Sequence, residues 1–287
     1  TSNRTLRQML SRGRVSLNGR PCMLAREPVK RGDEVRIGES CTPHDSLHGL
    51  EIIFEDEALI VIKKPAGLLT VANEHERERT AYAYLRSYLR RRRPTAGKPF
   101  IVHRLDKFVS GVLTFAKSEG VKQKLQAMFR RHDVDRKYWA IVEGRLTQER
   151  GTIRSYLAEN RSGRMSSTVE TDAGKHAVTH WRVLRRLPHW TTVEVTLETG
   201  RKNQIRAHLS EMGNPIVGDK SYGSTIDPFG RIALHAYRLG FAHPTDGKPL
   251  LFETEPPAEF RKYLPSTSSS ATSSSRRGSS LTSQSKH

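Results

Sequence analysis

Four consecutive residues, His103-Arg104-Leu105-Asp106, followed at once by Lys107-Phe108-Val109-Ser110-Gly111, set one carboxylate among cationic neighbours. A carboxylate with positive neighbours stays ionised and oriented, so it can act as a nucleophile or a base without a metal or cofactor. Alone, the tetrapeptide carries little, because Asp beside Arg is far more often a surface ion pair or a turn. A second group of polar residues begins at Gly200. The run Arg201-Lys202-Asn203-Gln204-Ile205-Arg206-Ala207-His208-Leu209 reads as the opening of a helix, with Asn203 as its cap and Ile205, Leu209 and Met212 as its buried stripe. Arg206 falls off that stripe near the amino end, from where its planar fork can reach a carboxylate on a neighbouring strand or loop. From the charges alone, a solvated basic helix is the simpler reading. Gly218-Asp219 beyond it reads as a turn, and Tyr138, taken by itself, as a strand tyrosine packed in the core.

Elements must bring these residues together. Ile52-Ile53-Phe54 and Leu59-Ile60-Val61-Ile62 flank the acidic turn Glu55-Asp56-Glu57 and predict a hairpin. Tyr82, Leu85 and Leu89 recur at helical spacing behind Thr80 as a cap, and that helix stops before Pro94. Its end carries Arg90-Arg91-Arg92-Arg93, which reads either as a solvated face or as a contact for phosphates. Ser118 caps a second helix with an apolar face of Val121, Leu125 and Met128, and Val193, Val195 and Leu197 alternate as in a half-buried strand. The predicted fold is α+β, a mixed and mainly antiparallel sheet with a few packed helices.

Composition bounds the partner. With 49 Lys and Arg against 30 Asp and Glu, the 287-residue chain carries a net charge of +19, and its pI is near 10.3, which favours a polyanion. No window has the apolar run of a membrane helix, and no amphipathic anchor or lipidation signal stands out, so nucleic acid is preferred to an acidic membrane surface. Cys22 and Cys41 stand at no metal-ligand spacing, which suggests free thiols in a reducing, cytoplasmic setting. The chain begins at Thr1 with no hydrophobic signal core behind it; this reads as a processed or trimmed start and leaves an upstream targeting segment open.

Three compositional regions follow. Residues 1–40 are basic, with Leu6, Met9 and Leu10 at helical spacing, a strand-like Gly13-Arg14-Val15-Ser16-Leu17-Asn18-Gly19 and a second strand-like piece from Asp33 to Ile37. They resemble the small RNA-binding module named after ribosomal protein S-four, with its first helix cut short; a generic basic hairpin is the alternative. Residues 41–49 read as a linker and 50–264 as the catalytic domain. Residues 265–287 form a serine-rich, basic tail too poor in apolar residues to fold.

Within 50–264, five motifs occur in order: His103-Arg104-Leu105-Asp106 with Ser110-Gly111; Lys137-Tyr138-x-Ala140; Gly200-Arg201-x-x-Gln204-Ile205-Arg206-x-His208-Leu209; Pro215-Ile216-x-Gly218-Asp219; and Leu234-His235-Ala236 with His243-Pro244. Together with the opening Glu55-Asp56 to Lys64-Pro65-Ala66-Gly67-Leu68, they resemble the RluA family of pseudouridine synthases. The resemblance implies a catalytic core of the pseudouridine synthase fold that isomerises uridine in structured RNA, with ribosomal RNA preferred, transfer RNA as the alternative and no cofactor. It implies Asp106 as the catalyst, Arg206 as its partner and Tyr138 against the uracil, stacking on it or taking the carbon 5 proton. Arg104 fills the gap left by the flipped base. His103 supports the loop as part of the substrate site, and Arg201, Gln204 and Leu234 complete that site; apart from the resemblance, the charge of Arg14 and of Arg90 to Arg93 suits them to the RNA backbone.

The chain departs from the family pattern in having Asn203 where His is common, and Phe108-Val109 in place of Asp-Thr. These changes bear on loop geometry and substrate choice more than on chemistry. Two other classes compete. A noncatalytic RNA- or ribosome-binding factor would not need an intact Asp106, Tyr138 and Arg206. A glycosidase needs two carboxylates at a set separation, and Asp219, the nearest second acid, reads as a turn. Monomer is the default state.

Overall fold

A computed structural model describes residues 5–6, 9–10, 15–18, 20–22, 28–37, 49–92, 98–169 and 174–264. Arg14, Arg93, Cys41, most of the expected linker and the serine-rich tail lie outside the described residues. Thr5, Leu6, Met9 and Leu10 are helical, as the spacing predicts. Three short strands follow: β1 (Val15–Leu17), β2 (Arg20–Pro21) and β3 (Val35–Ile37). They form an antiparallel sheet ordered β2-β1-β3. Asn18 supplies the positive φ of 51° that the turn after β1 requires, and its side chain bridges to Asp33 and to the Glu34 N–H.

The remaining strands build one large sheet. In chain order they are β4 (Glu51–Glu55), β5 (Leu59–Lys64), β6 (Phe100–Ile101), β7 (Ser110–Ala116), β8 (Asp135–Glu143) and β9 (Arg150–Glu159). They continue with β10 (Met165–Thr168), β11 (Lys175–Arg186), β12 (Trp190–Leu197), β13 (Leu234–Ala242) and β14 (Pro249–Glu253). The path runs β10-β9-β11-β12-β8-β13-β7-β5-β4, with β14 on β13 and β6 on β7. The pairing is antiparallel except at the β7–β13 seam, so the mixed, mainly antiparallel expectation holds. At that seam Gly111 has a φ of +126°, and a Cβ there would stand 2.0 Å from the Ala236 carbonyl oxygen; only glycine permits so close an approach.

Three helices cover the sheet: α1 (Ala81–Arg92), α2 (Glu119–Arg131) and α3 (Gln204–Glu211). Thr80 Oγ1 accepts from the Ala83 N–H and Ser118 Oγ from the Val121 N–H, so both expected caps form. The hairpin is present as β4–β5. Its second strand is apolar on both faces for a reason: Ile60 and Ile62 join Leu85 and Leu89 of α1 in one cluster, while Leu59 and Val61 join Val121 and Leu125 of α2 in another. A strand covered from both sides needs no polar alternation. Among the described residues no helix is long and apolar enough to cross a membrane.

Candidate active site

Asp106 sits in the loop between β6 and β7, and the chain holds that loop from several directions. Thr70 Oγ1 donates to the Leu105 carbonyl at 2.7 Å and accepts from the Leu105 N–H at 3.2 Å. The Gly67 N–H donates to the Lys107 carbonyl at 2.8 Å. Lys64 is fully buried, and its ammonium donates to the carbonyls of Pro65, Leu68 and Lys107 at 3.0, 2.7 and 3.2 Å. Burial lowers the Lys64 pKa to about 7 against the attraction of Asp106. The Lys64-to-Leu68 motif is therefore a buttress under the loop. Beside it, His103 Nε2 accepts from the Thr114 N–H at 3.2 Å and the ring stacks on Phe129. Burial pushes the His103 pKa down to about 3, so the imidazole is neutral and supports the loop.

Arg206, in the first turn of α3, brings its Nη1 to 3.6 Å from Asp106 Oδ2. The expected pair forms, but it is the weaker of two. The same guanidinium binds Asp219 in a fork, Nε to Oδ2 at 2.6 Å and Nη2 to Oδ1 at 2.8 Å, and its face lies 4.7 Å from the Tyr222 ring centroid. Asp219 is 1% exposed. The expected Gly218-Asp219 turn forms, with Gly218 at φ +82° and the Asp219 N–H donating to the Ile216 carbonyl at 2.9 Å; the turn reading alone misses that Asp219 also carries the carboxylate that grips Arg206. Asn203 stands at the N-cap of α3, as expected, and its carbonyl accepts from the Ala207 N–H at 3.0 Å, but its side chain does not cap. The residue has φ 51°, and its Oδ1 instead accepts from Arg206 Nη1 at 3.0 Å. Burial works against the Arg206 charge, but Asp219 and Asp106 outweigh it and raise the pKa.

At Asp106 the balance differs from the expectation that cations alone hold it ionised. Burial raises the carboxyl pKa, and Arg206, Arg104 and Lys64 offset only part of the rise. The result is a carboxylate more basic than a solvated one. Tyr138, on β8, is 9% exposed, and burial raises its phenol pKa. A neutral phenol favours the stacking role over the base role.

Asp106, Tyr138, Arg206, Arg104, His103, Arg201, Gln204 and Leu234 all line one cleft of about 840 Å3. Their contributions differ. Leu234 is buried and gives an apolar wall. Arg104 is exposed, and among the described residues it makes no ion pair. Arg201 is exposed at the rim, its Nε donating to the His176 carbonyl at 2.9 Å. Gln204 needs the largest correction, because its side chain is occupied by the protein. Oε1 accepts from Thr199 Oγ1 and the Arg201 N–H, and Nε2 donates to the Val178 carbonyl and to Thr179 Oγ1. It fixes the start of α3. Arg90, Arg91 and Arg92 are exposed and do not line the cleft; Arg92 lies 4.9 Å from the Tyr88 ring centroid and 3.9 Å from Glu55. A smaller cleft of about 330 Å3 beside the Asp106 loop shares Arg104, Asp106 and Arg206 with the first and adds Lys107, the exposed Phe108 and Arg164. Among the described residues no group of three or more His, Cys, Asp or Glu could hold a metal ion.

The profile of the RNA pseudouridylate synthase family matches residues 58–211, a span that holds the Asp106 loop, Tyr138 and Arg206. The chain belongs to the RNA pseudouridylate synthase family. Relatives of this synthase extend the match in both directions. It is 35% identical over 271 residues to the uncharacterized RNA pseudouridine synthase YlyB of Bacillus subtilis, covering 92% of this chain and 88% of the relative. It is 39% identical over 227 residues to the ribosomal large subunit pseudouridine synthase D of Pseudomonas aeruginosa, covering 74% and 69%. Among solved structures, human RNA pseudouridylate synthase domain containing 4 aligns with a TM-score of 0.62 and 25% identity, covering 73% of this chain and 90% of that one. The RluA-type assignment of this synthase stands with them.

Proposed function

We propose that this synthase isomerises one or more uridines of ribosomal RNA to pseudouridine, with Asp106 initiating the reaction on a base flipped out of its stack. The observation that carries the reading is the convergence of Asp106, Arg206 and Tyr138 on one cleft, with the carboxylate 3.6 Å from the guanidinium. The net charge of +19 favours an RNA partner. The large-subunit synthases among the relatives favour ribosomal RNA over transfer RNA.

The flipped uridine enters with its uracil on the Tyr138 ring, Leu234 and the other apolar side chains excluding water, and its ribose toward Asp106. The carboxylate attacks carbon 1′ or the uracil ring, or removes the 2′ hydrogen. Each route needs the ionised form, which Arg206 favours, and each gains from the basicity that burial confers. The bond from nitrogen 1 to carbon 1′ breaks, the base turns, carbon 5 joins carbon 1′, and the carbon 5 proton leaves as nitrogen 1 takes one up. No atom is gained or lost overall. Arg104, exposed at the rim, stacks in the gap that the extruded base leaves. Arg201, Arg14 and the Arg90 to Arg93 run supply phosphate contacts, together with the basic N-terminal head as an RNA-binding module.

The test is a pseudouridine map of ribosomal and transfer RNA treated with the purified chain or with Asp106→Asn. The wild type produces at least one new site, and the variant slows its formation by about three orders of magnitude or more. Failure of the wild type on both RNA classes would replace the enzyme by a noncatalytic RNA-binding factor.

A further inference from the structure

β8 brings a second charged side chain to the catalytic cleft, two positions before Tyr138 and therefore on the same face of the strand. Arg136 is 7% exposed. Its Nη2 donates to the Leu197 and Glu198 carbonyls at 3.4 and 2.9 Å, and its guanidinium packs on Phe129. Its Nε is buried without any partner. Among the described residues no carboxylate pairs with it. The other partly or deeply buried arginines of this core are compensated: Arg206 by Asp219, Arg231 by Glu259 and Arg238 by Asp135. Gly200 keeps the space open, since a Cβ there would stand 2.8 Å from Arg136 Nη1.

A guanidinium buried without a counter-ion is unfavourable in the free protein, and burial does lower its pKa. Such a group persists where a negative charge arrives only during the reaction. The cleft supplies the geometry. Arg136, Tyr138 and Asp106 line the same cleft, and both charges act on the Tyr138 phenol. A uracil resting on Tyr138 with its ribose at Asp106 lies in the cleft that Arg136 also lines.

We infer that Arg136 is a further catalytic residue, which stabilises the negative charge that develops on the carbonyl oxygens of the target uracil. The inference rests on the synthase reading above. If the bond from nitrogen 1 to carbon 1′ breaks after attack at carbon 1′ or loss of the 2′ hydrogen, its electron pair departs with the ring and spreads over both carbonyl oxygens. If Asp106 adds to the ring, the same oxygens take up the charge. Formation of the bond from carbon 5 to carbon 1′ consumes that electron pair and returns the ring to neutrality; the carbon 5 proton then leaves as nitrogen 1 takes one up, and the guanidinium neither gains nor loses a proton.

The experiment uses the full chain and a short RNA hairpin carrying the uridine identified by mapping, with either uridine or 5-fluorouridine at that position. Single-turnover cleavage of the bond from nitrogen 1 to carbon 1′ is measured for wild type, Arg136→Met, Arg136→Gln and Arg136→Lys, with urea unfolding of each. Arg136→Met and Arg136→Gln lose about 10²- to 10³-fold on the uridine RNA. Their unfolding midpoints stay at or above the wild-type value, because an unpaired buried charge has been removed. On the fluorinated RNA the loss is at least about tenfold smaller, since fluorine already stabilises the ring anion, and Arg136→Lys recovers part of the rate. Equal losses on the two RNAs, unchanged activity, or a loss that follows a fall in stability would overturn the inference. An active wild type with insensitive Arg136 variants overturns this inference alone, whereas a wild type inactive on every RNA overturns the synthase reading and takes the inference with it.

Discussion

Asp219 shows how much a single residue's role depends on distant neighbours. In sequence it follows a glycine turn; in the fold it is 1% exposed and forks onto the guanidinium that approaches Asp106. Its removal therefore has two consequences. Asp219→Ala leaves Arg206 without its stronger counter-ion, and breaking a buried pair from one side costs about 3–5 kcal/mol, measured as a lower unfolding free energy in urea. The freed guanidinium also loses its aim at the Asp106 carboxylate, so on the proposed mechanism kcat falls by up to about a hundredfold while KM for RNA changes little, because Asp219 makes no part of the cleft lining. A variant with normal kcat and normal stability would show that Asp106 alone positions Arg206. Gln204 and Asn203 teach the same lesson in reverse. Both were plausible from residue type, as ligand and as cap; Gln204 is committed to Val178 and Thr179 on a strand distant in sequence, and Asn203 keeps the cap position while its side chain binds Arg206 instead.

At the scale of elements, the β7–β13 seam is parallel, so it brings the Asp106 loop, which precedes Ser110, and Leu234, which precedes His235, to the same end. Its polar thread can be followed atom by atom. Arg231 Nη2 donates to Ser110 Oγ at 2.7 Å, Ser110 Oγ lies 2.7 Å from His235 Nδ1, and His235 Nε2 lies 3.0 Å from Thr254 Oγ1. Since Arg231 can only donate, the Ser110 hydroxyl proton points to Nδ1, and Nε2 carries the imidazole proton toward Thr254. Burial, with Arg231 and Lys63 nearby, lowers the His235 pKa from 6.5 to about 3. Between those values the unfolded chain binds a proton that the folded chain excludes. Stability from this group is thus complete above pH 6.5 and is lost as pH falls toward 3. The expected result is a urea-unfolding free energy that declines on acidification through that window, and in His235→Gln a slope shallower by up to about 1.4 kcal/mol per pH unit. Identical slopes in both proteins would mean that His235 is protonated in the fold. Periodicity predicts the elements flanking the seam well, because the caps at Thr80 and Ser118 and the alternation in β12 are local properties. The parallel pairing of Ser110 with His235 joins segments 125 residues apart, and no local pattern encodes it.

For the molecule as a whole, charge is the governing quantity. A chain of net charge +19 with Arg104 and Arg201 exposed at its cleft meets RNA through phosphates, and each neutralised phosphate releases counterions. KM for the RNA substrate should rise steeply with salt, with log–log slopes of several units at about 0.7 per phosphate contact, while the single-turnover rate at saturating RNA stays nearly constant. A salt-insensitive KM would place the basic residues outside the RNA footprint. The smaller basic cleft beside the Asp106 loop lies in the same field.

The amino-acid sequence by itself determined the charge, the helices and hairpin, and the order of the motifs, which are properties of residue type and spacing. The three residues that meet in the cleft were named by the family resemblance those motifs carry, since spacing alone left Tyr138 in the core and Arg206 on a solvated helix. Only the tertiary structure decided which carboxylate Arg206 grips, that burial rather than cationic neighbours dominates at Asp106, that Lys64 and Thr70 clamp its loop, and that Arg136 lies buried without a counter-ion. Each of these depends on which groups the sheet excludes from water and which it sets face to face, and neither is a property of any segment taken alone.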